Sequence, residues 1–357
     1  MVAQLVALKV QPNVHNVKFY QPDREDASKK GRTPKVTYSS YVSKKGTHRW
    51  KYLQSYLLHR DCVTDVACCS WDGSVVATGS ADRCAKVWTA EDGRCMMFLP
   101  HPQPVTSVAF HPTERLLGTS CGDGVVRVFR VGGDDEKAER AALEVPAGDG
   151  IAIGMAFGGD SIYTATWGGM LGVFDYQGTH VTSISATATA GASVTSLAAD
   201  FGSPLVCCTD SDGQLRLFDL RAPSHARIEC VTAHADACVS AQFCDGGKTV
   251  VSIGFDKVVK VWDAKMLKAP KATFKVAYPS KLAVSANGKF LVQLEDKSFC
   301  ITDTLGMKHG KLKTSADAFQ REHLRLQVCS CFSADESVLY TSGFDRHVVA
   351  WFEERDR

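Results

Sequence analysis

The chain has 357 residues, a net charge of +2, 45% hydrophobic residues and 22% charged residues. These are ordinary values for a folded protein and exclude a chain that is disordered throughout. No apolar run approaches the roughly 18 residues of a membrane span, and Val2 excludes N-terminal myristoylation.

The charge is uneven. Residues 1–51 hold 11 Lys/Arg against 3 Asp/Glu, and the remainder hold 30 against 36. Residues 1–49 therefore read as a basic, partly disordered N-terminal extension with no secretory signal pattern. Arg24, Lys29, Lys30, Arg32, Lys35, Lys44, Lys45 and Arg49 stand there among many Ser and Thr. A solvated leader is the simplest reading. An RNA contact or a phosphorylation-controlled segment around Thr33-Pro34 is the functional one.

Residues 50–58 are strand-like, and from there a repeat runs to the end of the chain. Each unit has a small-residue strand, a turn, then an alternating strand that ends six residues after the turn position. The pairs are Asp82/Trp88, Asp123/Phe129, Gly168/Phe174, Asp212/Phe218, Asp256/Trp262, Asp296/Thr302 and Asp345/Trp351. Successive ends lie 41, 45, 44, 44, 40 and 49 residues apart. Seven units at this period match the WD40 blade, so the expected fold is all-β, a seven-bladed WD40 β-propeller over residues 50–357. Six residues follow Trp351, too few for a last outer strand, so residues 50–58 are expected to close blade seven. Three linkers stand out: acidic residues 132–150, small residues 185–193, and residues 303–325 with several Lys and Arg.

In WD40 blades a His, a Ser/Thr, the turn Asp and the Trp form a hydrogen-bonded ladder. Here blade one offers His59, Thr78 or Ser80, Asp82 and Trp88, and blade five offers His234, Ser252, Asp256 and Trp262. Blade two keeps His101 and Asp123 but ends in Phe129, which has no indole donor. Blade seven has Asp345 and Trp351, with His323 as partner. Blades three, four and six are degenerate. These His and Asp recur at repeat positions, which explains them structurally rather than catalytically.

No phosphate loop, His-Glu-x-x-His or nucleophile elbow occurs, and no enzyme or cofactor is expected. The 14 cysteines include no Cys-x-x-Cys and read as small buried hydrophobes. Their number without a disulfide or zinc spacing implies a reducing compartment, cytoplasm or nucleus. Partner binding is expected on the ring face that carries the turns. Arg83, Lys257, Lys297 and Arg346 follow the turn positions of blades one, five, six and seven. Phe255 and Phe344 precede two of them, and Trp167 precedes the turn of blade three. Blades five, six, seven and one thus form a basic sector with aromatics, suited to an acidic or phosphorylated protein segment.

At blades five and seven the likeness narrows. Gly254-Phe255-Asp256-Lys257-Val258-Val259-Lys260-Val261-Trp262-Asp263-Ala264-Lys265 and Thr341-Ser342-Gly343-Phe344-Asp345-Arg346 resemble the WD repeat-containing protein 37 family. His59-Arg60-Asp61, Phe110-His111-Pro112-Thr113-Glu114 and Phe218-Asp219-Leu220-Arg221-Ala222-Pro223-Ser224 extend the resemblance over most of residues 28–352. It implies a non-enzymatic adaptor whose vertebrate members pair with phosphofurin acidic cluster sorting proteins. The alternatives are a WD40 subunit of an RNA-processing or ribosome-assembly particle and a ubiquitin-ligase substrate receptor.

Overall fold

The computed structural model describes residues 49–132, 140–187, 189, 191–220, 227–276, 278–285, 287–294, 299–304, 308–311 and 327–354. Residues 1–48 of the basic extension, Asp296, Lys297 and His323 lie outside them, and Arg49 belongs to the first strand. The described residues form 28 strands in seven four-stranded antiparallel sheets.

Blade one is β2 (Val63–Cys68), β3 (Val75–Ser80), β4 (Cys84–Thr89) and β5 (Cys95–Pro100); blade two is β6 (Val105–Phe110), β7 (Leu116–Cys121), β8 (Val125–Arg130) and β9 (Leu143–Pro146). Blade three is β10 (Ala152–Phe157), β11 (Ile162–Thr166), β12 (Met170–Phe174) and β13 (His180–Ser185). Blade four is β14 (Val194–Ala199), β15 (Leu205–Asp210), β16 (Gln214–Asp219) and β17 (Arg227–Thr232). Blade five is β18 (Cys238–Cys244), β19 (Thr249–Gly254), β20 (Val258–Asp263) and β21 (Ala272–Lys275). Blade six is β22 (Ala283–Val284), β23 (Leu291–Leu294), β24 (Phe299–Thr302) and β25 (Lys308–Lys311). Blade seven takes β26 (Gln327–Phe332), β27 (Val338–Gly343) and β28 (His347–Glu354) from the end of the chain. Its outer strand is β1 (Arg49–Leu57), paired from Arg49↔Glu354 to Leu57↔His347 with a bulge between Tyr52 and Gln54.

The innermost strands touch in sequence around the ring, and β26 touches β2 to complete it. Burial follows from this stacking. The second strand of a blade is covered on both faces, so β3 is small and buried at all six residues, Val75 to Ser80. The outer strand is covered on one face, so β5 alternates, with Met97 and Leu99 inward and Met96 and Phe98 exposed.

The core is divided into seven hydrophobic clusters, each shared by two neighbouring blades. The aromatic that ends the third strand always fills the cluster shared with the preceding blade. Phe129 packs against blade one, Phe174 against blade two, Phe218 against blade three and Trp262 against blade four. Trp88 packs against blade seven, with Tyr56 of β1 at 4.6 Å and Tyr340 of β27 at 6.1 Å between ring centroids. Blade six supplies no such aromatic; Thr302 is buried and accepts from Gln293 at 2.9 Å.

Of the cysteines, nine are buried, Cys68, Cys84 and Cys331 are half-buried, and Cys95 and Cys230 are exposed. Linker 185–193 is not uniformly loose: Ala186, Ala192 and Ser193 are buried.

Because β1 contributes both a ladder and Tyr56 to the last interface, removing it leaves the blade-one face of blade seven open. A chain beginning after Leu58 should lose its cooperative thermal transition. Tyr56→Ala alone should cost about 3 kcal/mol, measured by denaturant unfolding. An unchanged melting temperature for the truncated chain would refute this closure.

Candidate partner-docking face

The turns between second and third strands lie on the same ring face as the loops leading into the inner strands. In every described turn the residue after the turn position, the start of the six-residue ruler, has positive φ: Arg83 (69°), Gly124 (82°), Gly169 (91°), Gly213 (76°), Lys257 (61°) and Arg346 (69°). In blades two to four this slot is buried beneath a neighbouring backbone or side chain. A Cβ on Gly124 would come within 2.5 Å of the Gly150 carbonyl, and one on Gly213 within 2.3 Å of the His234 carbonyl. Glycine is obligatory there. In blades one, five and seven the slot opens outward, and Arg83, Lys257 and Arg346 are exposed. Holding a non-glycine residue in this region costs about 1 kcal/mol. These three form no ion pair with another described residue.

The aromatics are less available. Phe255 is half-buried against the cluster of blades five and six, and Trp167 against that of blades three and four. Trp167 stands beside Gly168 and Gly169, away from the cationic turns. Phe344 is half-buried. Arg60, which sequence reasoning did not single out, is exposed next to this sector and donates its backbone N–H to Asp82 at 2.9 Å. Its signal was its place directly after His59.

Side-chain networks fix these turns, and they differ by blade. In blade five His234 Nδ1 donates to Asp256 at 3.0 Å, and Ser252 Oγ bonds both His234 Nε2 and the Trp262 indole at 2.9 Å. Blade one is incomplete. His59 reaches Asp82 at 3.0 Å and Thr78, not Ser80, at 2.8 Å, but the buried Trp88 indole N–H has no partner. In blade seven the Trp351 indole donates to Thr341 at 2.9 Å, and Asp345 accepts from the His347 backbone at 3.1 Å.

Blade two corrects the ladder expected from sequence. His101 bonds the Leu99 carbonyl and Thr119, while Asp123 is held by Arg127 at 2.7 Å. Blade four uses a buried pair instead. Asp210 accepts from the backbones of Asp212 and Gln214 and is bridged by Arg216, whose guanidinium also donates to the Ala186 carbonyl at 2.6 Å. Asp212, at the ruler position, is exposed. In blades one, two, four and five a carboxylate is pinned over the turn by His59, Arg127, Arg216 or His234; blade three has Gly168 at that position, and in blade seven Asp345 accepts from the His347 backbone.

These contacts set the protonation states. Burial alone would raise the Asp82 carboxyl, but bonds from His59, Arg60 and Cys84 outweigh it and bring it to about 2. Burial lowers His101, His111 and His234, partly opposed at His234 by Asp256.

The ring axis is a channel that widens away from the turn face into a cavity of about 650 Å³. At one register of the inner strands six residues are Thr, Ile or Val, and the seventh is Lys281. Its ammonium lies 2.6 Å from Asp65, which is nearly inaccessible and also accepts from Ser107 at 2.7 Å and the Val108 N–H at 3.0 Å. One carboxylate thus ties blades six, one and two together. Among the described residues no group of three or more His, Cys, Asp or Glu is arranged to hold a metal.

A family model for the WD domain, G-beta repeat, matches residues 50–89, 93–130 and 226–263. Each match spans the outer strand of one blade and three strands of the next. WD repeat-containing protein 37 of Homo sapiens is 27% identical over 341 residues, covering 84% of this chain and 68% of that protein. The Xenopus tropicalis protein of the same name is 26% identical with the same coverage. The U5 small nuclear ribonucleoprotein 40 kDa protein of Homo sapiens is 43% identical over 58 residues, 15% of this chain. The chain thus contains WD40 repeats and is similar over most of its length to WD repeat-containing protein 37.

Two outcomes follow. Trp262→Phe should destabilise the ring by about 1 kcal/mol more than Trp88→Phe, since only Trp262 loses an indole hydrogen bond. Denaturant titration of both variants checks this. Stability should also fall as pH drops below about 6.5. There the unfolded chain binds protons that buried His101, His111 and His234 resist, while Asp82 stays ionised. A melting temperature unchanged from pH 8 to pH 5 would contradict that assignment.

Proposed function

We propose that the ring is a non-enzymatic adaptor that docks an acidic or phosphorylated segment of another protein across blades five, six, seven and one. The observation that carries this reading is the cationic αL residue in three of those blades. Arg83, Lys257 and Arg346 occupy a backbone conformation that glycine adopts at lower cost, project outward, and meet no carboxylate of the described ring. Strain retained at exposed charged positions is characteristic of binding surfaces. Phe344 gives the sector an apolar contact, and Arg60 extends its charge. Lys297 would complete the sector. The likeness to WD repeat-containing protein 37 makes a phosphofurin acidic cluster sorting protein the first partner class to seek, in the cytoplasm or nucleus.

The triple variant R83G/K257G/R346G tests the surface without disturbing the fold, because glycine suits all three positions. It should keep the wild-type melting temperature within a few degrees. Its affinity for an acidic phosphopeptide should fall at least about tenfold, the effect of losing roughly 1.4 kcal/mol. Equal affinity for wild type and variant would refute the assignment. Native-cell affinity purification with both forms then identifies the partner.

A second reading, a subunit of an RNA-processing particle, draws on the basic extension and the segment shared with the U5 small nuclear ribonucleoprotein 40 kDa protein. It requires RNA affinity that declines steeply with salt and disappears when residues 1–48 are removed.

A further inference from the structure

Cys68 ends the innermost strand of blade one, and Cys331 lies in the innermost strand of blade seven. They stand 263 positions apart in the chain, yet their sulfurs are 3.1 Å apart. Both are half-buried on the wall of the axial cavity, on the side that widens to solvent. The separation is that of an S–H···S contact. A disulfide requires sulfurs at about 2.05 Å, so roughly 1 Å of approach joins them. Other buried cysteines are turned to different partners: Cys238 to the Ile253 carbonyl at 3.4 Å, and Cys329 to Ser342 at 2.8 Å.

We propose that Cys68 and Cys331 are a modification site: a reversible disulfide that locks blade seven to blade one at the hub of the ring. The oxidant is a peroxide that enters by the axial cavity. Cys68 attacks one peroxide oxygen, giving a sulfenic acid and releasing water. The Cys331 sulfur then attacks the Cys68 sulfur, the S–O bond breaks, and a second water leaves with the Cys331 proton. The two sulfurs together lose two electrons, and hydrogen peroxide is reduced to two waters. Burial and the adjacent Cys68 hold the Cys331 thiol well above the ordinary cysteine range, so the bond forms slowly at neutral pH and faster as pH rises.

The position gives the bond its effect. β1 closes the ring at its outer rim by hydrogen bonds, whereas this link closes the same seam on the inside and covalently. It spans nearly the whole propeller, and a loop of that size strongly restricts the unfolded chain.

The full chain, reduced and then exposed to hydrogen peroxide, is blocked with N-ethylmaleimide and digested with trypsin without reductant. The expected product joins the Asp61–Arg83 peptide to the Leu326–Arg346 peptide, and fragmentation of that product in the unmutated chain assigns the bond to Cys68 and Cys331. Cys69→Ser and Cys329→Ser should retain the joined peptide, and Cys68→Ser or Cys331→Ser should lose it. The oxidised protein should melt at least about 5 °C higher, reversed by dithiothreitol. A joined peptide that persists in Cys68→Ser overturns the proposal. So does oxidation confined to sulfonic acids or to intermolecular bonds through exposed Cys95 and Cys230.

Discussion

The pairing of β1 with β28 is the contact on which the rest of the molecule depends. Each blade buries a face only by leaning on its neighbour, and the seven clusters are all shared between blades. A linear stack of such sheets would end in two unsatisfied faces. Closure removes both, and it does so because each repeat is out of step with its blade. The outer strand of one blade precedes the inner three of the next in sequence, so the ring ends one strand short and the first strand completes it.

The seam is reinforced at three points. At the rim are the β1 ladder and Tyr56, set against Trp88. At the hub, Lys281 and Asp65 carry a charged contact from blade six to blade one, past blade seven. Cys68 and Cys331 meet below them. Of these contacts only Lys281–Asp65 reaches blade six, the thin blade, where β22 has two residues and the third strand ends in Thr302 rather than an aromatic. The six-residue ruler has the same mechanical basis. In every blade but the sixth it delivers one bulky ring into the interface behind it, and Trp or Phe serves equally for packing.

This explains what could be read from residues alone. The seven-bladed architecture was legible because the interfaces demand periodic volume, which composition displays openly. The networks were less so. Asp123–Arg127 and Asp210–Arg216 depend on which polar atom reaches the turn carboxylate, and His101 was a plausible competitor in blade two. A signal did exist. Blades two and four carry Arg two residues before a terminal Phe, whereas blades one and five carry Lys two residues before a terminal Trp. Where the indole and its serine relay are missing, guanidinium replaces imidazole. Lys281 was unreadable because a two-residue strand has no alternation from which to take a register. The half-burial of Phe255 and Trp167 was equally hidden, since it depends on the adjacent blade.

The direction of β1 has a consequence for how the molecule is wired. Arg49 pairs with Glu354 at the face where the axial cavity widens, and Leu57 pairs with His347 at the face of the cationic turns. These points are the two ends of a nine-residue strand, about 27 Å apart at the rise of a strand. Arg49, where β1 begins, therefore stands on the side opposite to Arg83 and Arg346. β1 thus crosses the rim of the ring from one face to the other before blade one begins, so the strand that closes the ring also joins its two faces.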